Sequence, residues 1–243
     1  MTLSKLFRQY WASWARHPRE RSKLVLGCLF FPTSTHRWLS YLDAHAHLRQ
    51  QAQLSPKLVT RIYRPYALRS LSCGERVTHM IEHHEFLREA GWSNLTQSSC
   101  RTPLPIMAWT AEDGNTLTLQ LQSLKEGHRE GESHIQLLWN GKRLFSLSFL
   151  VRERAGAHQL LVTRFHGSRA QAAPEWIRQA TKAMHGLRPA DLLVQAAQHL
   201  AQRLGCTQVG LVSNKQRVAL NPKRRLRIKV DLEKLWKERG AEM

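Results

Sequence analysis

The chain has 243 residues, 42% of them hydrophobic, and 37 lysines and arginines against 18 acids give a formal net charge of +19. That length and apolar content allow a buried core and argue against global disorder, while so positive a field attracts nucleic acid, anionic lipid headgroups or acidic proteins. Cys28, Cys73, Cys100 and Cys206 are scattered without CxxC pairs or zinc-ligand spacing, so no disulfide scaffold, metal site or zinc finger is expected.

In chain order, Leu3, Leu6, Phe7, Tyr10, Trp11 and Trp14 recur at helical steps, with Lys5, Arg8 and Arg16 beside them. Tryptophans next to cations are the composition of an interfacial helix. Phe7, Trp11, Trp14 and Arg16 are therefore the membrane-contact candidates, and packing on the protein's own core is the alternative. This amphipathic start differs from the plain apolar run of a secretory signal. The longest apolar run, residues 24–31, is far short of the roughly 20 residues that span a bilayer. The expected location is cytoplasmic, with a peripheral place on the inner membrane.

Residues 34–60 read as helical until Pro56 intervenes, and Arg64-Pro65 is extended. Ser72 and Glu75 make a capping box that opens a helix ending near Gly91. The period then changes to two. Strands are expected at 116–122, 133–139, 143–151 and 158–165, with Asn140-Gly141 as a hairpin turn, forming an antiparallel meander. Helices at 174–184 and 189–204 and a strand at 207–212 complete the pattern. Gly186 and Pro189 read as the stop and start signals of those two helices. A basic helical region over 1–60 and an α+β region over 61–243, packed as one unit, are the expected organisation.

Catalytic signatures such as a GxSxG elbow, a Walker loop, HExxH or a dinucleotide fingerprint are missing, and no cofactor is expected. His185 and Arg188 either satisfy carbonyls at a helix end or bind a ligand. If the last strand lies beside the meander, Ser213 and Asn214 beyond its carboxyl end share a crevice with them, suited to an anionic or acyl ligand. The cationic run holding Lys223, Arg224, Arg225 and Arg227 is an anion-binding candidate or a solvated face.

The segments Arg64-Pro65-Tyr66, Glu75-Arg76, Glu126-Gly127 with Glu130-Gly131, 145–149, 181–189, 211–214 and 231–236 resemble the VirK/YbjX family of Gram-negative bacteria. The likeness runs from about Leu24 to Gly240. Departures are Phe165-His166-Gly167-Ser168, where members tend to have a glycine followed by Leu-Gln-Gly, and Leu232, a place often held by tyrosine. The family is a domain of unknown function. Its members are associated with virulence, surface placement of an outer-membrane protein, stress response and resistance to cationic antimicrobial peptides. The resemblance makes Arg64, His185, Arg188, Ser213 and Asn214 the ligand-binding candidates.

The sequence thus predicts an α+β fold: N-terminal helices, an antiparallel meander, then helix-helix-strand, reminiscent of the acyl-CoA-dependent N-acyltransferase sheet. The leading expectation is a cytoplasmic or membrane-peripheral factor supporting the envelope. An acyltransferase-like enzyme acting on an envelope component and a nucleic-acid-binding protein are the alternatives.

Overall fold

The structure, a computed structural model, describes residues 2–123, 129–218, 231–238 and 240. The helices α1 (Leu3–Ser13), α2 (Pro18–Phe30), α3 (Pro32–Ala44), α4 (Ala46–Leu54), α5 (Pro56–Thr60), α6 (Cys73–Glu89) and α7 (Ser93–Arg101) come first. Strands β1 (Leu104–Thr110), β2 (Thr116–Ser123), β3 (Ser133–Trp139), β4 (Lys142–Arg154) and β5 (Ala157–Gly167) follow. The chain continues through α8 (Ala173–Ala183), α9 (Pro189–Arg203), β6 (Gln208–Leu211) and α10 (Leu232–Lys237).

Proline sets many of these boundaries. Pro18, Pro32, Pro56 and Pro189 each open a helix, where a missing N–H costs nothing. The ring also keeps the preceding residue out of helix. Phe31, before Pro32, accordingly leaves α2 at φ −137° and ψ 52°, so the apolar run ends at a corner. The stretch read as helical from 34 to 60 is three helices, because His45 interrupts it with extended backbone. At Ser72 the capping box forms in full: Glu75 N–H donates to the serine hydroxyl, and its carboxylate accepts from Ser72 N–H.

The strands make one sheet in the order β1-β2-β3-β4-β5-β6, antiparallel as far as β5 and parallel between β5 and β6. The fold is α+β, as expected. Asn140 and Gly141 turn the β3–β4 hairpin with φ of 48° and 73°, the pair of left-handed residues a type I′ turn requires. The expected meander gains an unpredicted edge strand, β1, preceded by the unpredicted α7. Strand β1 is exposed from Pro105 to Thr110, and Pro105 with a register shift before Met107 blunts its free edge.

Two hydrophobic clusters hold these layers together. Leu119, Leu121, Ile135, Leu137, Leu147, Phe149, Val151, Leu160 and Val162 pack one face of the sheet against Leu193, Ala197 and Ala201 of α9 and Trp236 of α10. The helices α1 to α6 enclose the second cluster around Tyr10, Trp14, Trp38, Tyr66 and Met80, and Leu150 and Leu161 reach it from the sheet. Those two leucines alternate with Val151 and Leu160 along their strands, which is how one pair of strands serves both clusters.

Candidate functional site

The residues singled out from the sequence fall in separate places. His185 has φ 52° and is the C′ residue of α8: its N–H donates to Lys182 O, and Gly186 N–H donates to Thr181 O. This is a Schellman motif displaced by one residue from the reading that placed Gly186 at C′. His185 also lines a cleft with Trp109 to Asp113 of the β1–β2 corner and Glu175 and Lys182 of α8. Arg188 is the exposed residue preceding α9. Ser213 and Asn214 follow β6, at the sheet edge opposite β1. With strands spaced about 4.8 Å apart, His185, beside the β1–β2 corner, and Ser213, beyond β6, are placed towards opposite edges of the sheet.

Asn214 has a local task. Its Oδ1 accepts from Leu232 N–H at 3.0 Å and its Nδ2 donates to Asp231 Oδ1 at 2.7 Å, tying the end of β6 to the start of α10. Arg64 is half exposed, with Nη2 4.0 Å from Glu20 Oε1. Lys223, Arg224, Arg225 and Arg227 lie outside the described residues. Trp14, expected at a membrane, is fully buried, and its indole N–H donates to Ala52 O. Phe7 and Trp11 stack on each other half-buried, Arg21 covers the Trp11 ring, and Arg16 is exposed. Most of this apolar stripe therefore packs inward.

The most highly charged interior site was not legible in the sequence. Glu132, 1% exposed, sits just before β3. Arg61 Nη2 donates to its Oε2 at 2.9 Å, the Tyr66 hydroxyl donates to its Oε1, and His84 Nε2 lies 3.5 Å away. The Arg61 guanidinium lies over two aromatic rings, 5.7 Å from that of Trp38 and 5.3 Å from that of Tyr66. Burial alone would raise the Glu132 carboxyl, but Arg61 and then His84 hold it well below the usual carboxylate range. Burial and the Glu132 charge push the Tyr66 phenol far up. His83, whose Nδ1 accepts from Val151 N–H at 2.9 Å, is pushed down by burial to about 3. A locked carboxylate, a locked phenol and a neutral imidazole exchange no proton near neutral pH. The adjoining cavity, lined by His47, Gln51, Cys100 and Ser123, is about 20 Å³, room for one water molecule. The cluster is a buried electrostatic junction between the helical layer and the sheet.

At the surface, the end of α2 carries an exposed apolar group: Leu26 at 52%, Leu29 at 70%, Phe30 at 72% and Phe31 at 44%. At 100° per residue, Arg19 and Lys23 precede Leu26 and Phe30 on the same helical face. Gly27 lets the Tyr63 ring lie against α2, since a Cβ there would come within 2.0 Å of it, and Phe31 stacks on that ring. The corner is thus fixed from behind. Among the described residues, no helix is long and apolar enough to cross a membrane.

These features belong to an α+β protein with helices packed on an open mixed sheet. The sequence profile described as "Protein of unknown function (DUF535)" matches residues 13–243, and the chain belongs to that family, in line with the VirK/YbjX resemblance. It is similar to "Uncharacterized protein YbjX" of Escherichia coli (strain K12), 29% identical over 201 residues, 82% of this chain and 61% of that protein. An "Uncharacterized protein" of Haemophilus influenzae is 27% identical over 172 residues, 70% of this chain and 57% of that one. The chain spans about three fifths of the length of these curated relatives. No solved structure matches.

Proposed function

We propose that the protein is a peripheral factor of an anionic membrane surface, docked through the α2–α3 corner. The observation that carries this reading is the group Leu26, Leu29, Phe30 and Phe31, held out by the break at Pro32 with Arg19 and Lys23 behind it. Contiguous apolar side chains rimmed by cations suit insertion below the headgroups of an anionic bilayer, and the net charge of +19 supplies the long-range attraction. Family resemblance directs such a factor towards envelope integrity, surface-protein placement or peptide and stress resistance. Co-sedimentation with phosphatidylglycerol vesicles is the test, with phosphatidylcholine vesicles as the control. The double variant Leu29→Ser, Phe30→Ser should bind the anionic vesicles at least about tenfold more weakly, since each buried apolar side chain contributes about 1.5–3 kcal/mol. Trp11→Ala should change little. Equal binding of the double variant and the parent chain overturns the assignment.

A second reading, an acyl-CoA-dependent acyltransferase, is favoured by one observation. Strands β5 and β6 pair in parallel only from Gln159–Gln208 to Val162–Leu211, and β5 runs on to Gly167 without β6. Such a parting at the carboxyl ends of parallel strands is where open α/β sheets hold ligands. A concentration-dependent rise in Tm with acetyl-CoA supports this reading, and an unchanged Tm counts against it.

A further inference from the structure

The register of the sheet lines up two ranks of polar side chains. Gln120 pairs with Gln136, Gln136 with Ser146 and Ser146 with His166. In the next rank Gln122 pairs with His134, His134 with Ser148 and Ser148 with Arg164. Between them, the rank Leu121, Ile135, Leu147 and Phe165 points the other way, into the core beneath α9. An antiparallel sheet with one solvated face also alternates in this way. This face differs in burial: Gln122, His134, Ser146 and Ser148 are each less than a tenth exposed.

The polar groups form a network with capacity left over. Gln120 Nε2 donates to Gln136 Oε1 at 2.9 Å, Gln136 Nε2 donates to Gln122 Oε1 at 3.4 Å, and His134 Nδ1 lies 2.7 Å from Ser148 Oγ. Gln122, 6% exposed, has a buried Nε2 with no acceptor among the described residues. Buried donors are ordinarily satisfied, so an orphan beside half-exposed glutamines points to a missing acceptor. Cations stand at the β5 end of the ranks. Burial, Arg164, Arg169 and Arg143 together push the His166 imidazole down to about 4. Glu130 answers part of that charge, with Oε2 2.6 Å from Arg164 Nη1.

We infer that this face binds a sugar phosphate, with the phosphate among Arg143, Arg164 and Arg169 beside His166, and the hydroxyls on Gln120, Gln122 and Gln136. Guanidinium groups grip a phosphate by charge-assisted hydrogen bonds, and amide side chains both donate to and accept from hydroxyls. The inference stands apart from the membrane reading, because its ligand is soluble.

The test follows the His166 imidazole by NMR, with the signal assigned through His166→Gln, while glucose 1-phosphate, inorganic phosphate or glucose is added. Glucose 1-phosphate should shift the signal saturably and raise the His166 pKa by about one unit or more, because a bound dianion offsets the arginine charges. Arg143→Gln with Arg169→Gln should weaken that binding about tenfold or more. Gln136→Ala should weaken glucose 1-phosphate while leaving inorganic phosphate unchanged. No saturation by about 10 mM glucose 1-phosphate, the weak end of useful affinity, overturns the inference. So does equal affinity for inorganic phosphate, which would reduce the site to an adventitious anion patch.

Discussion

Two polar regions of the interior, the Glu132 junction and the polar sheet face, are built on different rules. Around Glu132, charge meets charge: Arg61, Tyr66 and His84 all converge on one carboxylate. Across the sheet face the groups are mainly neutral, and Gln122 leaves an amide donor unused. An ionic network rigidifies even where Arg61 Nε and His84 Nε2 lack hydrogen-bond partners among the described residues, and its removal leaves a stranded charge. A network of neutral amides and hydroxyls contributes less to stability, and its open amide donor keeps capacity for an outside partner. The first region therefore belongs to folding, and the second to recognition.

The contrast can be broken by mutation, and the largest effect should come from Arg61. Arg61→Ala strands Glu132 without its guanidinium and should cost about 3–5 kcal/mol in urea denaturation. A loss under about 1 kcal/mol would mean the junction is not what holds the layers. Acid should act next. In the unfolded chain His83 takes up a proton near 6.5, but in the folded protein only near 3. Unfolding therefore binds more protons below pH 6.5, and His83 removes roughly 1.4 kcal/mol of stability per pH unit as the pH falls towards 3. Glu132, held low, keeps its contribution until the pH drops below the ordinary carboxylate range. Stability measured between pH 7 and 5 should fall in the parent chain and flatten in His83→Gln. The smallest effect is expected at Gln136→Ala, within about 0.5 kcal/mol of the parent. A loss above about 2 kcal/mol there would make the polar ranks structural, like the Glu132 junction, and erase the distinction.

Much of the sheet was legible because alternation is a local signal. Strands β2 to β5, the Asn140-Gly141 turn and the Ser72 capping box each declare themselves within a few residues. Strand β1 does not, because it is exposed on both sides and interrupted by Pro105. Missing β1 also concealed the sheet's second edge, so the expected meeting of His185 with Ser213 ignored the width between them. The Glu132 junction depends on Arg61 and Tyr66, far earlier in the chain, and buried charges look like surface charges in a sequence. The same limit applied to Trp14, whose helical phase predicted a stripe but not which side the protein would cover. The alternation in β2 did reveal which residues share the polar face. It could not reveal that Gln122 is covered.

The short pairing of β6 has a consequence for the order of assembly. Strands β1 to β5 close as successive hairpins, whereas β6 reaches β5 only after the crossover through α8 and α9. Its contacts have high sequence separation and little pairing to offset the entropy of closing so long a loop. Strand β6 should therefore dock last in folding and open first in the native state, and its amides should exchange with deuterium well before those of β4. The last edge of the sheet is its kinetic latch, secured by Trp236, whose indole N–H donates to Val212 O just past the strand.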